Sequence, residues 1–160
     1  MLAENFTYID DFFIRKKDEI NIHFSKYISY GFSKKLMRGS TAKDLFEIAI
    51  KDYFKLLNEE LTKELDEFKY KNKFENSLEC YKRNIIEIKQ EILKYLDKYL
   101  SNFIRTQKEK DRIYQILNAE TNNSIKKWNY IVEKRQKPLA LKFKEFIDSI
   151  LKFFPFKLNF

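Results

Sequence analysis

The sequence predicts a mainly α protein, a single domain spanning residues 1–160 and folded as an antiparallel bundle of four to five helices. Three observations carry that prediction. Two glycines and two prolines among 160 residues leave little material for tight turns or phosphate-cradling loops. Apolar residues recur at three- and four-residue steps over residues 45–68 and again over 78–103. An apolar content of 44%, with 16 Phe and 10 Tyr, supplies a core and excludes a disordered chain despite 35% charged residues.

Taken in order, Thr7 with Asp10 three residues later suggests an N-cap, and Ile9, Phe12 and Phe13 begin a short first helix. Residues 20–32 read differently. The even positions from Ile20 to Phe32 are Ile, Ile, Phe, Lys, Ile, Tyr and Phe, whereas the odd positions between them are mostly polar. That alternation fits a half-buried strand, paired with 68–74 or with 154–160; the other option is a helix buried on most sides. Gly39-Ser40-Thr41 then breaks the chain, and Thr41 with Asp44 resembles a capping box that opens a helix of about 25 residues. Leu45, Ala49, Tyr53, Leu56, Leu57, Leu61, Leu65 and Phe68 form its stripe.

Residues 68–74 read as a connector or short strand, after which Leu78, Tyr81, Ile85, Ile88, Ile92, Tyr95, Tyr99 and Phe103 mark a second long helix in nearly heptad spacing. The polar run 105–112 either continues that helix as a solvated span or interrupts it. Thr121-Asn-Asn-Ser124 reads as a turn and cap, opening a helix over 124–137 that Pro138 ends. Leu139, Phe143, Phe146, Ile147, Ile150 and Leu151 mark a last helix, followed by an aromatic tail over 153–160.

The net charge of +8 is concentrated at the C-terminal end: residues 101–160 hold thirteen Lys/Arg against six Asp/Glu, while 51–100 are balanced. Abundant Lys, Asn, Ile, Phe and Tyr point to a low-GC genome, which by itself inflates the lysine content. The single cysteine, Cys80, excludes an internal disulfide and fits a reducing compartment. The first residues show neither a basic segment nor an apolar one of signal-peptide kind, and no run approaches the roughly 18 apolar residues of a membrane span. A cytoplasmic location is expected, with a membrane partner not expected.

Catalysis finds little to stand on. His23, the only imidazole, has no Cys/His cluster near it, so no metal site and no cofactor are predicted. Cys80 has no sequence-local base and reads as a core or edge residue. Three candidate binding surfaces stand out instead. Lys126, Lys127, Tyr130, Lys134 and Lys137 fall within about 100° of one another on a helix, opposite Ile125, Trp128 and Val132, and could track a phosphate backbone. Lys35, Arg38, Ser40 and Thr41 precede or open a helix N-terminus, where backbone N–H groups favour an anion. In the tail, Phe153, Phe154, Phe156 and Phe160 are candidate anchors for docking on a partner or on a second copy. The expectation is a non-enzymatic helical binding protein acting through protein contacts, as inhibitor, adaptor or self-assembling subunit. DNA or RNA binding through the basic C-terminal face is the alternative.

Overall fold

The computed structural model describes residues 7–67 and 77–153. The segments 68–74 and 154–160, the expected strand partners, lie outside the described residues. Four helices account for the rest: α1 (Thr7–Ser33), α2 (Gly39–Glu67), α3 (Ser77–Phe103) and α4 (Gln107–Phe153). The described residues are helical apart from 34–38 and 104–106. The mainly α bundle is therefore the observed architecture.

Side-chain pairs fix how the helices lie. Between α1 and α2 the sequence separation of partners shrinks from 37 at Tyr53 and Lys16 to 25 at Tyr27 and Asp52, so the two run antiparallel. The same holds for α3 and α4, where it falls from 43 at Tyr81 and Ser124 to 17 at Tyr114 and Asp97. Between α1 and α3 it stays near constant, 70 at Lys17–Glu87 and 74 at Asp10–Asn84, which means parallel helices. α2 and α4 are likewise parallel, with Asn58 and Ser124 separated by 66. Around the bundle the order is thus α1, α2, α4, α3, and each hairpin lies beside the other in the same sense.

Of the two options for residues 20–32, strand or helix, the structure takes the helix: they belong to the 27-residue α1. The reason lies in the alternation itself. On a helix the even positions split into two four-residue rows about 200° apart. Ile20 and Phe24 are buried and Ile28 is half-buried, while Ile22, Lys26 and Tyr30 are exposed. The period-2 pattern came from apolar residues left in solvent. Phe32 is also exposed, yet it meets Phe103 of α3 edge-on at 5.5 Å.

α1 ends in a Schellman motif. Leu36 N–H donates to the Gly31 carbonyl (2.8 Å) and Lys35 N–H to that of Phe32 (3.1 Å), with Lys35 at φ 57°. Gly31 is buried because no side chain fits there: a Cβ would stand 2.8 Å from Leu45 Cδ1 and 2.9 Å from Met37 Cγ. α2 begins at Gly39, so Thr41 sits inside its first turn instead of capping it. Lys43 Nζ, not Thr41, engages Asp44 at 2.8 Å.

Two breaks predicted in the C-terminal region are also absent. α4 runs unbroken for 47 residues, through both Thr121–Ser124 and Pro138. Thr121 donates its hydroxyl back to the Leu117 carbonyl at 2.8 Å, and Ser124 Oγ accepts from Asn58 Nδ2 at 3.0 Å. These polar groups are buried and satisfied within the bundle, so they do not terminate the helix. Proline disfavours a helix interior by about 3 kcal/mol without forbidding it, and here the helix continues past it. The true break is at 104–106, where Thr106 caps α4: Glu109 N–H donates to Thr106 Oγ1 (3.4 Å), and that hydroxyl donates to the Glu109 carboxylate (2.6 Å).

The core is aromatic. Phe13 of α1 packs edge-on against Tyr81 of α3 at 5.5 Å, and Tyr81 stacks on Trp128 of α4 at 4.6 Å and 12°. One buried cation, Lys16, reaches Glu19 at 2.7 Å and also pairs with Glu60. Burial alone would pull its pKa down, but the bonds and charges of the two carboxylates outweigh this and raise it.

Candidate binding surfaces on the long helix

The single histidine and the single cysteine are both engaged in packing. His23 is half-buried between α1 and α2, its Nε2–H donating to the Ala49 carbonyl at 2.9 Å and its ring lying 5.3 Å from those of Tyr27 and Tyr53. That is a packing role. Cys80 is buried, and its thiol donates to Asp10 Oδ1 at 3.3 Å. Burial and the Asp10 carboxylate push its pKa up to about 11, the opposite of an activated nucleophile. Asp10 gathers Asn84, Cys80 and Arg83; burial would raise its pKa, but these donors prevail and hold it below the usual carboxylate range. No group of three or more His, Cys, Asp or Glu among the described residues could hold a metal ion.

The two halves of the anion surface predicted from sequence lie far apart. Lys126, Lys127 and Tyr130 are exposed together on the outer face of α4, opposite buried Trp128 and half-buried Ile125. Neither lysine has an ion pair among the described residues. The side chains of Lys134 and Lys137 lie outside the described ones. Lys35, Arg38, Ser40 and Thr41 are all exposed at the α1–α2 turn. From the start of α4 beside that turn to Lys126 is about 28 Å along the helix.

Next to Ser40 the structure brings in residues that the sequence gives no reason to group with it. Because α2 and α4 are parallel, both begin at one end of the bundle. There Ser40 and Lys43 join Thr106, Lys108, Glu109, Asp111, Arg112 and Gln115 around an open cleft of 930 Å³. Its cations are largely compensated. Glu47, mostly buried, lies 3.5 Å from Lys43 and 3.6 Å from Arg112, and Asp44 takes Lys43 as well. With Glu109 and Asp111 also on the rim, this is a mixed-charge surface and not an oxyanion cradle. Of the predicted set only Ser40 lines it.

The most distinctive surface is where α4 outruns its neighbours. The constant offset to α2 places Glu67 level with about residue 133, and the antiparallel pairing places Ser77 of α3 at a similar height. The remaining 20 or so residues of α4 extend about 30 Å beyond the described ends of both helices. Lys144, Phe146, Ile147, Asp148 and Ser149 are all exposed, and at about 100° per residue they sample the whole circumference. Phe146 is 61% accessible and Ile147 40%. The helix therefore stands clear of the described bundle there. Phe153 is its last residue; Phe154, Phe156 and Phe160 lie outside the described residues. No described helix is long and apolar enough to cross a membrane.

No family model matches the chain, nor does any curated protein or solved structure.

Proposed function

We propose that this is a non-catalytic helical binding protein that acts through protein–protein contacts, with the C-terminal third of α4 as its docking element. The exposure of Phe146 and Ile147 on a helix with no described neighbour carries this reading. A helix of about 20 residues is marginal in water unless packing of an apolar face supports it. A partner that covers the face would supply that support, and helices laid into grooves through residues at three- and four-residue spacing are a common recognition mode. The test is capture from a native lysate, with and without nuclease, by the parent chain and by a Phe146→Glu/Ile147→Glu variant. Proteins held by the parent after nuclease treatment and lost from the variant are expected. An identical set on both chains would refute the assignment.

One observation favours a second reading, nucleic-acid binding. Lys108, Arg112, Lys126, Lys127 and Tyr130 are exposed on one side of α4, within about 100° of one another. Such a row could follow a phosphate backbone. Binding of DNA or RNA that weakens steeply with salt would support it, whereas no binding at low salt would remove it.

A further inference from the structure

A pocket of about 160 Å³ opens on the seam between α1 and α3. Ile20 of α1 and Tyr95 and Tyr99 of α3 form its apolar side. Ile20 and Tyr95 are buried and Tyr99 is half-buried, and the two tyrosine rings lie 4.6 Å apart. Lys17 and Asn21 of α1, with Glu91, Lys94 and Lys98 of α3, form the polar side. The parallel packing of the two helices brings these groups together. Residues 70 positions apart lie side by side, as Lys17 and Glu87 do, and Asn21 and Glu91 share that separation.

Two of the three lysines are already compensated: Glu87 holds Lys17 at 2.6 Å, and Glu91 holds Lys94 at 2.6 Å. Lys98 has no ion pair among the described residues, and its Nζ stands 4.9 Å from the centre of the Tyr99 ring. Burial raises the pKa of Tyr95, while a Ser25 hydrogen bond and the Lys98 charge act against it, so Lys98 is near that hydroxyl as well. The Asn21 amide and the Tyr99 hydroxyl have no hydrogen-bond partner among the described residues. One uncompensated cation and two unused polar groups thus border an apolar wall. A cavity of about 150 Å³ with apolar walls accommodates benzene, so the space suits a single ring. One net positive charge suits a monoanion. A phosphate dianion fits worse, because the flanks of two helices offer no free backbone N–H groups and Glu91 opposes a second negative charge. We infer that this pocket binds a small aromatic carboxylate. The ring lies against Ile20, Tyr95 and Tyr99, and Lys98, the Asn21 amide and the Tyr99 hydroxyl donate to the carboxylate.

Sodium benzoate serves as the probe, titrated into the full chain and followed through the ring resonances of Tyr95 and Tyr99 in two-dimensional NMR spectra. Saturable shifts of both rings are expected, in the millimolar range usual for a ligand of so few atoms. Lys98→Gln should weaken benzoate at least about fivefold, as loss of a charge-assisted bond. The same variant should bind benzyl alcohol, which has the ring without the charge, as the parent does. Asn21→Phe, which sets a ring at the pocket from an exposed position, should remove binding of both compounds. Circular dichroism establishes that each variant is folded. Benzoate that moves neither ring, or that binds Lys98→Gln and the parent alike, overturns the inference. Equal affinity of the parent for benzoate and benzyl alcohol also overturns it, because the charge would then play no part. So does displacement of benzoate by an equal concentration of inorganic phosphate, which would make this a general anion site.

Discussion

Trp128 offers the sharpest test of how the bundle is held together. It is 2% accessible and stacks on Tyr81, which in turn meets Phe13, so one indole links α4 to α3 and through it to α1. Truncation to Ala removes most of a side chain that buries about 150–250 Å², and should cost about 3–5 kcal/mol including the cavity. For a domain whose total stability is about 5–15 kcal/mol, that is a large share. At about 2–4 °C per kcal/mol for this chain length, melting should fall by about 6–20 °C. Trp128→Phe should behave differently. The indole Nε1 is buried with no hydrogen-bond partner among the described residues, so Phe keeps the aromatic stack and discards an unsatisfied donor that costs about 1–3 kcal/mol. The lost ring volume offsets part of that gain, leaving a net change of about 1 kcal/mol or less in either direction. Thermal and urea melts followed by circular dichroism read both variants. Equal, large losses in Trp128→Ala and Trp128→Phe would refute the account, because they would require the Nε1 donor to be satisfied and the stack to be secondary.

Alkaline pH should loosen the fold through its tyrosines. Burial, then the Asp52 carboxylate, pushes Tyr27 up to about 12, and burial with Asp97 does the same to Tyr114; Tyr53 and Tyr81 are raised further by burial. A folded-state pKa above the unfolded value of about 10 means stability is intact below pH 10 and is lost as pH climbs through about 12. Phenolate absorbance at 295 nm should therefore rise with loss of helix for these tyrosines; full ionisation of all ten below pH 11 in a folded chain would contradict it. Lys35→Gly should raise stability by about 0.5–1 kcal/mol, since Lys35 holds a left-handed conformation at the end of α1 that glycine adopts without strain; a lower melting temperature would count against the Schellman ending. Gly31→Ala should destabilise by about 1 kcal/mol despite its better helix propensity, because the new Cβ overlaps Met37 and Leu45; a stabilised variant would show that Met37 yields freely. Replacing Lys126, Lys127, Lys134 and Lys137 together by Gln should leave melting almost unchanged, Gln and Lys having similar helix propensity, and should remove whatever polyanion binding the parent shows in a filter assay; retained binding would exclude that face.

The parts of the fold that were legible in the sequence are those where pattern and burial coincide. The stripe Ala49, Tyr53, Leu57, Leu61 of α2 and the stripe Tyr81, Ile85, Ile88, Ile92 of α3 are buried as their spacing predicts, and Trp128 is the core anchor expected of it. α1 misled because Ile22, Tyr30 and Phe32 sit in water and imitate a strand. α4 misled because local signals for a break, the 121–124 polar cluster and Pro138, were overridden. Thr121 is satisfied by the Leu117 carbonyl of its own helix and Ser124 by Asn58 of α2, and only the tertiary structure reveals Asn58 opposite Ser124. The basic face at Lys126, Lys127 and Tyr130 was legible from helical geometry. The projection of α4 past its neighbours was not, since it depends on where α2 and α3 stop alongside it.

The ring order α1, α2, α4, α3 bears on how the chain can be taken apart. Each half, α1–α2 and α3–α4, is an antiparallel helical hairpin with its own side-chain contacts, Tyr27 with Asp52 in one and Tyr114 with Asp97 in the other. Residues 7–67 and 77–153, supplied as two separate polypeptides, carry the described contacts between the halves. They meet through two parallel seams, Asp10 with Asn84 and Lys17 with Glu87 on one side, Asn58 with Ser124 on the other. Reconstitution of a heterodimer from the two fragments, at a concentration set by those seams alone, is the behaviour this topology implies. Severing the covalent link there would convert intramolecular stability into a measurable dissociation constant.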